Sequence, residues 1–173
     1  QKQAALERLV ERVKQSPLDA STYMVAGDIF TQLGKKQRAV EMYREAYKIE
    51  PQHSMVKESL AFALHRLGNA EEALGLFQAL LVEAQEEKTA KRQKGENKSY
   101  LIAIGDCYLQ LEQYHQARRT FEKIRRQEPL NPAGWARLAQ VALARGDYAE
   151  AKRAAGQSLE LKKDYPDALM VLG

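Results

Sequence analysis

Apolar and small residues recur along this chain at i, i+3, i+4 and i+7, the spacing of one face of an α-helix. Tyr23, Ala26, Gly27 and Phe30 make the first such set. Gly34 follows as a stop, because glycine readily takes the left-handed conformation that closes a last turn. A second helix then carries Ala39, Tyr43 and Ala46 as far as Pro51. The same order returns three times. Leu60, Ala61, Leu64, Gly68, Ala73 and Phe77 form the second set. Leu101, Ile104, Gly105, Tyr108, Ala117, Phe121 and Pro129 form the third, and Trp135, Leu138, Ala139, Gly146 and Ala151 the fourth. Aligning Gly27, Ala61, Gly105, Ala139 and Gly173 gives separations of 34, 44, 34 and 34 residues.

The pattern predicts helical hairpins stacked on one another, since one such hairpin cannot bury its apolar face alone. The small residues have a physical task here. Gly27 and Ala39 are expected to let two antiparallel helices approach closely, with Tyr43 filling the space beside them. Unit two lacks a closing proline. Its second helix is expected to run on through Leu81, Val82, Glu83, Ala84, Gln85, Glu86 and Glu87 toward Lys88, Lys91, Arg92 and Lys94, with a stop at Gly95 and Asn97. Ten extra residues amount to about 15 Å of helix. They form either a basic protrusion that touches a partner or a solvated extension. In unit four, Ala142, Ala155 and Ser158 stand where larger residues are usual, which predicts looser packing there.

A 34-residue helix–turn–helix with these spaced small, aromatic and proline positions resembles the tetratricopeptide repeat (TPR) signature. Pentatricopeptide repeats share a similar period, but the recurring Gly/Ala, Ala and Pro positions favour the TPR pattern. The resemblance implies an all-α fold: an α-α superhelix, a right-handed solenoid of helix–turn–helix repeats. In that frame residues 1–19 contain the second helix of a preceding repeat, with Ala5 and Leu9 in place and Pro17 ending it. Residues 20–53 are repeat one, 54–97 repeat two with its insertion, 98–131 repeat three and 132–165 repeat four. Residues 166–173 begin a further repeat. Both ends are expected to cut through a repeat, as in a fragment of a longer protein.

The resemblance also implies where binding occurs, because the first helix of each TPR unit lines a concave groove. The inner positions are then Met24, Asp28 and Gln32; Glu58, Phe62, His65 and Arg66; Ile102, Asp106, Leu109 and Gln110; and Ala136, Arg137, Gln140 and Leu143. Met24, Phe62, Ile102 and Leu109 suit an amphipathic helix or extended peptide laid in a groove. Two TPR subclasses do not carry over. Those that hold acidic chaperone tails use a basic residue and Asn at the fifth and ninth positions of the first helix. Those places hold Met24/Asp28, Glu58/Phe62, Ile102/Asp106 and Ala136/Gln140. The Asn ladder of sugar-transferase arrays is replaced by Val25, Ser59, Ala103 and Arg137.

Composition narrows the function classes. Lys plus Arg number 27 against 23 Asp plus Glu, a formal charge of +4 with both signs mixed along the chain, unlike the basic stripe of a nucleic-acid binder. No apolar run approaches the roughly 20 residues that span a bilayer, so direct membrane insertion is not expected. The one cysteine, Cys107, allows no internal disulfide and fits a cytoplasmic or a bacterial periplasmic protein alike. It reads as a buried thiol at a small packed position, with no histidine placed to activate it. His53, His65 and His115 are scattered, with no second ligand at i+3 or i+4, so no metal is expected. Phosphate-binding glycine loops are absent and no cofactor is expected.

The expected function is a non-enzymatic scaffold that docks a protein or peptide partner. The bacterial arrays this chain resembles serve envelope assembly, secretion or exopolysaccharide export. The alternative is a regulatory segment of an enzyme whose catalytic domain lies outside the chain, and uncapped repeat ends suggest self-association. Phe62→Ala combined with Arg66→Glu is expected to weaken partner capture and leave melting nearly unchanged.

Overall fold

The computed structural model describes residues 19–90 and 98–173, with the backbone alone for 87–90. Among these residues it is all helix: α1 Ala20–Gln32, α2 Lys36–Ile49, α3 Ser54–Leu67, α4 Ala70–Ala90, α5 Lys98–Gln110, α6 Tyr114–Gln127, α7 Pro132–Ala144, α8 Tyr148–Leu161 and α9 Pro166–Leu172. Odd-numbered helices are first helices of hairpins and even-numbered ones are second helices. The expected helix over 3–15 and the expected stop at Gly95 and Asn97 lie outside the described residues. The second helix of unit two runs on, as expected, as far as Ala90, while Lys91, Arg92 and Lys94 lie outside the described residues: α4 has 21 residues where α2, α6 and α8 have 14 each.

All four hairpin turns close by one rule. The first helix ends, one residue adopts a left-handed conformation, and the next N–H reaches back five residues to an orphan carbonyl. These bonds run from Lys35 to Phe30, Asn69 to Leu64, Gln113 to Tyr108 and Asp147 to Ala142, at 2.8–3.0 Å. Gly34, Gly68 and Gly146 supply the left-handed residue at φ 71, 97 and 77°. In the third turn Glu112 takes this place at φ 56°, without glycine's freedom.

The chain forms two compact units, divided after Leu80. In the first, Asp19 caps α1 by accepting from the Thr22 N–H at 3.0 Å. A Cβ added to Gly27 would lie 2.4 Å from Cε1 of Tyr43, so α1 and α2 meet through the missing side chain, as the sequence predicts. Phe30, Val40, Met42, Leu60, Leu64 and Phe77 fill the interior of this unit. Arg44 of α2 pairs with Glu72 of α4 at the surface.

The second unit, Leu81–Gly173, repeats the device. A Cβ on Gly105 would lie 2.4 Å from Cε1 of Phe121. That ring is fully buried among Leu101, Ala117, Ile124 and Val141. Between hairpins the close neighbour is main chain rather than a ring. A Cβ on Gly134 of α7 would meet both Cα and Cβ of Arg125 of α6 at 3.0 Å, and the Arg125 guanidinium lies over the Trp135 ring at 4.9 Å. The α7–α8 hairpin is built on alanine: Ala136, Ala139, Ala154 and Ala155 pack together with Ala168 of α9. Ala142 and Ser158 are buried with them, and the Ser158 hydroxyl donates to the Pro132 carbonyl at 2.9 Å.

Candidate docking face

Each first helix turns one flank into its hairpin and leaves another toward solvent, and the inner positions read from the sequence divide between the two. In the first unit Gln32, Arg66 and Asp28 are exposed, while Glu58 and His65 are half-buried. Met24 packs onto the cluster of Ala20, Ala46 and Val56. Phe62 meets Phe77 edge-to-face at 4.9 Å, so it is half core and half surface. The sequence-based expectation that melting stays nearly unchanged in Phe62→Ala therefore needs correction: removing the ring strips packing from a fully buried neighbour and lowers stability.

Asp28 is tied down from below. The Tyr43 hydroxyl donates to its Oδ1 at 2.7 Å, with Thr31 Oγ1 another 3.4 Å from the same hydroxyl. Burial, helped by the Asp28 bond, pushes the Tyr43 phenol up to about 12, so it stays a proton donor across the physiological range.

In the second unit Gln110 and Leu143 are exposed, and Ile102 and Leu109 are half-buried against the Phe121 cluster. Ala136 departs from the expectation. It is fully buried in the alanine seam and cannot line a groove. Three other inner positions come together. Arg137 Nη1 lies 3.4 Å from Asp106 Oδ1 and donates to Gln140 Oε1 at 2.9 Å. Its Nη2 lies 3.8 Å from Asp167 of α9, a residue the sequence reading did not single out. One guanidinium thus links three successive first helices, α5, α7 and α9. Burial pushes the Asp106 carboxyl up to about 6; Arg137 opposes the shift and Asp167 adds to it. The neighbouring Cys107 thiol is buried and pushed up to about 12, by burial first and by Asp106 second, as suits a packing residue.

A separate shallow depression of about 650 Å³ lies at the interhelical turns, lined by Glu128, Pro129, Leu130, Asn131, Pro132, Lys162 and Tyr165. None of the expected inner positions lines it. Among the described residues no three His, Cys, Asp or Glu side chains gather to hold a metal, and no helix is long and apolar enough to cross a membrane.

Helical hairpins joined by one turn geometry and seamed through small residues define a helical-repeat protein, a class built to present surfaces to other macromolecules. The chain belongs to the tetratricopeptide repeat family, whose profile matches residues 1–164. Members of this family are generally non-catalytic scaffolds for protein–protein interaction. Among solved structures, residues 41 to the end of MamA from Desulfovibrio magneticus RS-1 match at a TM-score of 0.73 and 20% identity, over 95% of this chain and 87% of that one. PilW, described as a widely conserved type IV pilus biogenesis factor, matches at 0.69 and 18%, over 98% and 74%. A tetratricopeptide repeat protein from Parabacteroides merdae ATCC 43184 matches at 0.68 and 24%, over 98% and 66%. At these identities the likeness concerns the fold alone. No curated protein matches the chain by sequence.

Proposed function

We propose that the solvent-facing flanks of the first helices dock a partner protein or peptide, a helical or extended segment, and that the chain serves as an assembly scaffold. The observation that carries this reading is the make-up of those flanks. Half-exposed apolar side chains (Met24, Phe62, Ile102, Leu109) stand beside reachable polar ones (Asp28, Gln32, Arg66, Gln110) on helices whose other side is firmly packed. Such a mixture gives a peptide both apolar anchoring and hydrogen-bond register. The finer setting we infer is bacterial envelope assembly, secretion or exopolysaccharide export. The fold likeness to PilW supports it.

Peptides selected from a random 12-residue phage library on the immobilised protein provide the test, with the amide shifts they induce mapped by NMR. Shifts concentrated on α1, α3, α5 and α7 are expected; shifts concentrated on α2, α6 and α8 overturn the reading. Self-association is a second reading, favoured by α9, which exposes Leu169, Met170 and Leu172 on seven residues. Light scattering should then show mass rising with concentration, and Met170→Glu should abolish the rise. A constant monomer mass removes this second reading.

A further inference from the structure

We propose that Asp106 is a specificity-determining residue of the docking face, selecting partner segments that present a lysine or arginine side chain. The inference rests on the docking reading above and names the chemistry of the partner.

Asp28 and Asp106 occupy the same place in their repeats. Each follows the close-contact glycine, Gly27 or Gly105, and an aromatic ring lies 2.4 Å from where each glycine's Cβ would stand. In the first unit that ring is Tyr43, whose hydroxyl satisfies Asp28 at 2.7 Å. In the second it is Phe121, which has no hydroxyl to give. Asp106 Oδ1 is accordingly buried without a hydrogen bond. Its ionic contact is Arg137 at 3.4 Å, and that guanidinium is shared with Asp167 and Gln140. Two carboxylates on one cation leave the group with a surplus negative charge in a partly desolvated place, where an unmet acceptor is costly.

A cation supplied from outside is the missing component. Oδ1 itself is buried, but the Asp106 side chain as a whole keeps 19% exposure, so a long side chain can approach the carboxylate from its open edge. Half-exposed Ile102 and Leu109 on the same helix offer apolar surface for the methylene stem of a lysine or arginine. A partner carboxylate would add a third negative charge and be rejected. Arg137 and Asp167 are the charged groups that face it, and two further titratable groups close by stay protonated at neutral pH. The Cys107 thiol is buried, and the Tyr165 phenol is pushed up by burial and by Asp167. Asp106 is therefore the group whose ionisation sets the pH response.

The selected peptides supply the probe. They are expected to be enriched in Lys or Arg at one position, and Asp106→Asn should weaken them by about tenfold in calorimetric titration, the scale of one hydrogen bond to a charged group. Wild-type affinity should rise from pH 5 to pH 7.5 as Asp106 ionises, while the Asp106→Asn profile stays flat. Phe121→Tyr, which places a hydroxyl where Tyr43 has one, should erase much of the preference for a basic over a neutral side chain. If that variant fails to fold by circular dichroism, the Asp106→Asn affinities and the two pH profiles decide alone. Peptides that map to α5 and α7 yet show no basic enrichment, and bind Asp106→Asn as tightly as wild type, overturn this proposal and leave docking intact. Failure to select any peptide that maps to the first helices removes both.

Discussion

Gly105→Ala inserts one methyl group, and the structure fixes the sign of its effect. The new Cβ would sit 2.4 and 2.5 Å from two ring carbons of Phe121 and 3.0 Å from a third. Carbon atoms in good contact stand about 3.5–4.0 Å apart, so the ring must retreat by about 1 Å. It has nowhere to go, because Phe121 is fully buried against Leu101, Ala117, Ile124 and Val141. Overpacking of this kind costs about 1–3 kcal/mol, and a ring held on all sides belongs at the upper end. Alanine returns about 1 kcal/mol of helix propensity. The net expectation is a loss of about 2 kcal/mol. With a slope of about 2 kcal/mol per molar urea, the midpoint falls by about 1 M. Trp135, the chain's one tryptophan, lies in the same compact unit and reports the transition by fluorescence. Gly75→Ala and Gly156→Ala are the matched controls: both glycines are helical with no atom within 4 Å of the added Cβ, so each should gain about 0.5–1 kcal/mol. If Gly105→Ala proves as stable as these controls, close helix approach is not what that glycine provides.

Glu112→Gly should raise the urea midpoint. The left-handed conformation at φ 56° costs a non-glycine residue about 1–2 kcal/mol, partly offset by the looser unfolded chain, and an unchanged or lower midpoint would contradict it. Ser158→Ala should lower stability by about 1 kcal/mol in the same assay by removing the hydroxyl bond to the Pro132 carbonyl, while an unchanged value would show that the bond contributes nothing net. The raised folded-state pKa of Asp106 makes its contribution to stability fully present below about pH 4, the unfolded value, and lost as pH rises through about 6. Asp106→Asn should consequently be more stable than wild type at pH 7 and lose that advantage near pH 4. Parallel stability profiles for the two proteins between pH 4 and 7 would refute this.

The period, the turn glycines and the close contacts at Gly27 and Gly105 could be read from the sequence because each depends on local spacing or on the absence of a side chain. The Asp106–Arg137–Asp167 grouping could not. It joins residues about thirty positions apart, and which flank of one helix meets the next depends on the rotation between hairpins, which a helical period does not encode. Ala136 illustrates the limit. It stands one position from Arg137, yet that step turns it from the docking flank into the alanine seam. Phe62 shows the same ambiguity in one residue, since a large ring at a boundary position serves both sides. Asp167 escaped notice because it sits early in the short α9, away from the ninth-position pattern.

Gly134 stands where the other repeats carry Thr22, Val56 and Tyr100, and a Cβ added to it would stand 3.0 Å from the Arg125 Cα, close enough that the neighbouring main chain must give by a few tenths of an ångström. The hairpins are consequently not interchangeable cassettes. A gene duplication or an engineered array that placed a copy of α5–α6 after α6 would press the much larger Tyr100 side chain against that main chain. Growth of such a molecule by copying its own units is disfavoured at that joint, and a new unit fits there best when it brings a small residue with it.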